Sequence, residues 1–144
     1  MGMFKGYIPT RGKRPTEPIR GRTSFYPLNE IQHLESYGGV LKDDVILVDS
    51  DNAKESDILF NIIQDFNIQC NVIQTDRGKH FYFLNTDVSS NKINNQCPLS
   101  FTLDYKLGSR NTVVPLKING AERKWLRETD TMDPLPIWLI PIGK

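Results

Sequence analysis

The run Val45-Ile46-Leu47-Val48-Asp49-Ser50-Asp51 constrains this chain more than any other stretch. Four consecutive aliphatic residues favour a buried strand, and two carboxylates follow with one residue between them. Side chains alternate along a strand, so Asp49 and Asp51 project on the same side of its end. Two anions that close repel each other unless a proton or a cation lies between them. Oxygen-only donors suit Mg²⁺ or Mn²⁺, and such pairs serve phosphoryl transfer. An Asp-x-Asp after an apolar run is also a plain strand-to-helix turn, and at this level both readings stand.

The sequence on either side predicts alternating strands and helices. A short helix is expected over Leu28 to Ser36, ended by Tyr37-Gly38-Gly39, with a brief strand from Val40. After Asp51, Asn52 and Glu55 have the spacing of a capping box. Ile58, Leu59, Ile62, Ile63 and Phe66 then recur at helical spacing, a stripe expected to face the core. Cys70 to Thr75 reads as the returning strand of a β-α-β unit, whose crossover favours parallel pairing. Further strands are expected over His80 to Leu84, Phe101 to Leu107 and Thr112 to Ile118. Asn119-Gly120 is a hairpin signal leading into Ala121 to Leu126. The polar run Ser89 to Gln96 has a low-complexity character. The proline-bracketed apolar tail Leu135 to Pro141 is expected to pack down and close the domain.

At 144 residues the chain has the size of one domain, and a net charge of +1 announces no global field for nucleic acid. Local charge differs. Lys5, Arg11, Lys13, Arg14, Arg20 and Arg22 lie among prolines and glycines near the start, opposed there by Glu17 alone. Residues 1–24 therefore read as a basic arm packed on or leading into a domain over 25–144. Such an arm is either a solvated terminus or a surface for phosphates and single-stranded template, with Arg11, Lys13 and Arg14 as its contacts. The two cysteines, Cys70 and Cys97, lack metal-ligand spacing. With no signal-peptide pattern and no run long enough to span a bilayer, the expected setting is cytoplasmic, with no membrane partner.

Three other clusters can converge on the Asp pair. Asp76-Arg77-Gly78-Lys79-His80 is a turn in which glycine leaves room for a ligand while Arg77, Lys79 and His80 offer donors to phosphate. Asp104 shares a strand face with Thr102 and Lys106. It is either half of a same-face ion pair or the third carboxylate of a metal cluster. Leu107-Gly108-Ser109-Arg110-Asn111 is a small-residue turn, either a simple hairpin loop or one that presents Arg110 to a triphosphate or template.

Taken together, a strand ending in Asp-x-Asp, a small-x-His at the head of a later strand, and an acidic residue in a third strand resemble the primase–polymerase domain of the archaeo-eukaryotic primase superfamily. Gly12-Lys13-Arg14-Pro15 and Tyr37-Gly38-Gly39-Val40 are similar to flanking segments of that family, and Leu107 to Leu116 resembles the phage and mobile-element members. Here the small residue is Gly78 rather than serine, and the family's Cys/His zinc module is absent. The resemblance implies an α+β (α/β) fold with an RRM-like mixed sheet and flanking helices. It also implies a DNA primase or polymerase working by two-metal nucleotidyl transfer. Asp49, Asp51 and Asp104 would hold two Mg²⁺ or Mn²⁺ ions. His80 would join them in catalysis, and Arg77, Gly78, Lys79, His80, Lys106 and Arg110 would bind the incoming nucleoside triphosphate. The implied partners are a single-stranded DNA template and a superfamily-3 helicase in a longer primase–helicase, of which this chain reads as the N-terminal piece in a bacterial or phage-infected cell. Two other classes are compatible with the same residues: a non-catalytic single-strand or origin-binding module of a replication initiator, and a metal-dependent nuclease.

Overall fold

Two antiparallel sheets organise the chain in the computed structural model, which describes residues 2–142. In chain order the elements are β1 (Phe4–Arg11), β2 (Arg14–Pro15), α1 (Leu28–Ile31), β3 (Tyr37–Leu41), β4 (Val45–Ser50), α2 (Ala53–Asp65), β5 (Asn71–Gln74), β6 (Lys79–Leu84), β7 (Lys92–Gln96), β8 (Thr102–Leu107), β9 (Val113–Ile118), β10 (Ala121–Glu122) and β11 (Trp125–Arg127). They sort into two compact units, one formed by residues up to 43 with 108–123, the other by 44–107 with residues from 124 onward. The division therefore does not fall at residue 24, where the basic composition ends.

The first unit is built on a five-stranded sheet in the order β10-β9-β3-β1-β2. The segment expected as an extended arm supplies β1, an inner strand that buries Phe4 and Ile8 and pairs with β3. Arg11, Lys13 and Arg14 sit where β1 turns into β2, a turn in which Gly12 takes φ of 60°. Tyr37-Gly38-Gly39 begins β3 rather than ending a helix, and α1 is a single turn. The Asn119-Gly120 expectation holds. Ala121 pairs with Ile118 across the turn, and both turn residues have positive φ, as a tight two-residue hairpin requires.

The second unit carries a six-stranded sheet in the order β11-β5-β6-β4-β8-β7, and every ladder between its strands is antiparallel. The class is α+β, while the expected mixed sheet is not seen. β4 and β5, read as parallel neighbours, are separated by β6, which is antiparallel to both. The reason is local: the turn after Gln74 folds β6 straight back onto β5, and this short closure takes the place beside β4 that a crossover partner would have had. The result is a split β-α-β arrangement.

Asn52 caps α2, its side chain accepting the Glu55 N–H at 2.9 Å. The buried face of α2 is Ser56, Leu59 and Ile63, whereas Ile58 and Phe66 are exposed, so the predicted stripe is only half interior. Leu59 and Ile63 pack with Ile46, Val48, Val72, Phe81, Phe83, Leu103, Tyr105 and Leu107 from one face of the sheet. Each such side chain contributes roughly 1.5–3 kcal/mol relative to exposure. The tail closes this core as expected: Leu135 and Leu139 are buried in it, and the Tyr105 hydroxyl donates to the Leu139 carbonyl at 2.6 Å. Among the described residues no helix is long and apolar enough to cross a membrane.

Candidate metal centre

Strand register builds the site. On β4, Ile46 and Val48 belong to the core under α2, so Asp49 emerges on the other face. On β8, Leu103, Tyr105 and Leu107 occupy that core, leaving Asp104 and Lys106 on the face of Asp49. On β6, Phe81 and Phe83 do the same, leaving His80 and Tyr82 there. Asp49 stands opposite His80 on one side and opposite Asp104 on the other. Asp51 follows just beyond the end of β4.

One carboxylate oxygen from each of Asp49, Asp51 and Asp104 lies within 4.8 Å of the other two. Asp49 is only 9% exposed, and its Oδ1 is buried without a hydrogen-bond donor. His80 Nε2 lies 3.4 Å from it, an approach that makes no good hydrogen bond. A buried carboxylate oxygen left in that state is costly. A hard divalent cation is the group that three convergent carboxylate oxygens would satisfy, so the donor set fits Mg²⁺ or Mn²⁺.

The electrostatics separate the two acids at the end of β4. Burial works to raise the Asp49 carboxyl, but the facing His80 and the charge of Lys106 outweigh it and hold the group below the usual range. Asp51 moves the opposite way: partial burial, then the charge of Asp49, raise it against the pull of Arg77. A proton arriving at this pair therefore goes to Asp51 first. Arg77 Nη2 lies 3.5 Å from Asp51 Oδ2, with the Arg77 side chain 77% exposed.

Gly78 fixes the turn against β4. A Cβ added there would lie 1.8 Å from the Ser50 carbonyl oxygen. The turn is closed by the Gly78 N–H donating to Thr75 Oγ1 and by Gln74 Nε2 donating to the Gly78 carbonyl. A side chain of any kind is thus sterically barred from this position.

Lys79 faces away from the carboxylates, and Arg110, Arg11, Lys13 and Arg14 belong to the first unit. Lys79 alternates away from His80, ion-pairs with Asp57 on α2 and lies 5.8 Å from the Phe60 ring centroid, so it serves the helix face rather than the carboxylates. Arg110 belongs to the first unit, exposed in a single 3-10 turn over Gly108–Arg110. Arg11, Lys13 and Arg14 are also in the first unit, around the β1–β2 turn, where a concavity of about 420 Å³ is lined by Thr10, Arg11, Thr16 and Glu35 among others.

Two residues of the site escaped the sequence reading. The Asn94 N–H donates to Asp104 Oδ1 at 2.6 Å from an irregular stretch of β7 where Asn94 has φ of 55°. Asparagine tolerates that conformation better than most residues, which gives meaning to the polar run that looked featureless. Tyr82, two positions after His80 and so on the same face, brings its hydroxyl to 3.0 Å from His80 Nδ1. Comparison with family models, curated proteins and solved structures gives no match for this chain.

Proposed function

We propose that the Asp49–Asp51–Asp104 cluster is a divalent-cation centre for template-dependent nucleotidyl transfer, the chemistry of a primase–polymerase. The observation that carries this reading is the convergence of three carboxylates around a buried Asp49 oxygen that makes no hydrogen bond. Bound there, Mg²⁺ or Mn²⁺ would activate an attacking 3′-hydroxyl and neutralise the leaving pyrophosphate. The chain's own residues define what surrounds that chemistry. Asp49 and Asp104, on paired strands, give a rigid base, and Asp51 at the strand end gives the adjustable third arm. His80 and Arg77 are the donors for the triphosphate, with Lys106 adding positive potential. Arg77, whose ion pair with Asp51 is exposed, can exchange that carboxylate for a phosphate oxygen at little cost. A single-stranded template and a helicase partner belong to the same proposal.

The test is a thermal melt of wild type and Asp49→Asn with Mn²⁺ and a deoxynucleoside triphosphate, separately and together, followed by incorporation on a primed template. A ligand at a hundredfold its dissociation constant adds about 2.7 kcal/mol to a two-state fold. The expected result is metal-dependent nucleotide stabilisation and incorporation, both lost in the variant. A folded wild type that neither gains stability nor incorporates nucleotide overturns the proposal, and strand shortening without added nucleotide transfers the site to nuclease chemistry.

A further inference from the structure

His80 presents its two ring nitrogens to two different groups, and only one arrangement of protons suits both. Nε2 faces the Asp49 carboxylate at 3.4 Å, and Nδ1 faces the Tyr82 hydroxyl at 3.0 Å. A carboxylate can only accept, so a bare Nε2 lone pair directed at it would be repelled. In the neutral ring Nε2 therefore carries the proton, and Nδ1 is the nitrogen left to accept. The phenol of Tyr82 has one O–H to give, and its ring is fully buried, approaching the imidazole edge to face at a centroid distance of 6.0 Å. Strand alternation fixes the pair, since residues two apart on β6 must share a face.

We infer that Tyr82 is a positioning residue: its hydroxyl donates to Nδ1 and commits His80 to the tautomer with hydrogen on Nε2. The consequence concerns what His80 can do. An imidazole nitrogen that keeps its hydrogen cannot be a metal ligand, so His80 stands outside the cation's ligand set. It is instead an N–H donor turned toward the carboxylate cluster, suited to an anionic phosphate oxygen arriving there. This second step rests on the nucleotide reading above, while the tautomer assignment rests on the protein alone.

The experiment is long-range ¹H–¹⁵N correlation of the histidine rings in wild type and Tyr82→Phe at mildly alkaline pH, without and with Mg²⁺ and then a nucleoside triphosphate. His33 is the chain's other histidine, so one His33→Gln control assigns the signals. Wild type is expected to give the Nε2–H pattern, unchanged by Mg²⁺. Tyr82→Phe, which keeps the ring and loses the hydroxyl, is expected to mix tautomers and weaken nucleotide binding about fivefold to tenfold, at unaltered Mg²⁺ affinity. An Nδ1–H pattern in wild type, or a coordinated nitrogen on adding Mg²⁺, overturns the inference even if the variant does not fold. So does a folded Tyr82→Phe protein whose tautomer is unchanged. If wild type binds no nucleotide, the nucleotidyl-transfer reading falls, and the spectrum still decides for or against Tyr82.

Discussion

Asp49 on β4 and Asp104 on β8 are direct cross-strand partners, a like-charge pair set where sheet packing rewards opposite charges. The sheet thus carries a built-in repulsion where β4 is paired on both sides, and this repulsion is relieved when positive charge arrives between the strands.

Removing one of the two charges should therefore stabilise the metal-free protein. Asp104→Asn keeps an oxygen to accept the Asn94 N–H, so the local backbone need not change. The expected gain is about 0.2–1 kcal/mol, a rise of a few degrees or less in melting temperature. The same variant should lose the stabilisation that Mn²⁺ gives to wild type. Calorimetric melts with and without Mn²⁺ check both; a lower melting point without metal would make Asp104 a structural residue, and a retained Mn²⁺ shift would remove it from the ligand set.

Metal affinity should fall with acid earlier than an ordinary aspartate site allows. Burial, then the charge of Asp49, raise Asp51 above its usual 3.8, and a proton on Asp51 competes directly with the cation. The sign for folding is the reverse. A carboxyl raised in the folded state contributes stability that is present below its unfolded pKa and lost as pH rises through the folded value. The lowered Asp49 contributes in the opposite sense, its share being lost as pH falls through its depressed value. Mn²⁺ titration calorimetry across the acid range should show affinity dropping as Asp51 protonates, and Asp51→Asn should flatten that first limb. An affinity that stays level until the range of an ordinary aspartate would contradict the assignment.

Gly78→Ala should damage both fold and site. The new Cβ would have to push aside the Ser50 carbonyl, and Ser50 lies between Asp49 and Asp51. Overpacking against rigid backbone costs about 1–3 kcal/mol, and the displaced strand end should carry Asp49 and Asp51 out of register with Asp104. Denaturant melts and Mn²⁺ affinity are the readouts; an unchanged midpoint with unchanged affinity would mean the turn is free to move.

Much of the site was legible because period-two alternation is unambiguous in a strand with one charged face. Val45 to Asp51 named its own geometry, and Leu103 and Tyr105 on either side of Asp104 told which way that carboxylate faces. Asn52 with Glu55 and Asn119 with Gly120 were readable because each depends on nearby backbone alone. The misreadings have a common cause: tertiary neighbours that local pattern does not contain. Gly38 and Gly39 look like helix stops, yet a Cβ on Gly39 would meet the Phe4 ring at 2.5 Å, so the glycines let two strands pack closely. β1 hides its two buried apolar anchors, Phe4 and Ile8, among prolines, glycines and cations. Lys79 sits beside His80 in sequence and on the opposite face in space, drawn by Asp57, which no spacing rule connects to it. Ile58 and Phe66 keep helical spacing with Leu59 and Ile63, but α2 has only one sheet face to bury against within its unit.

The interleaving of the two units has a consequence for how the chain can be made. β3 meets its partner β9 only after more than half the sequence has passed, and β11 with the tail residues Leu135 and Leu139 completes the other sheet and core last. Neither unit is a contiguous stretch that could finish early at the ribosome and then wait. Both reach their final pairing only after β9 and β11 have been made, so the unpaired flanks of β3 and β5 must be shielded until then, and a ribosome stalled before Val113 would hold a chain in which neither sheet is complete.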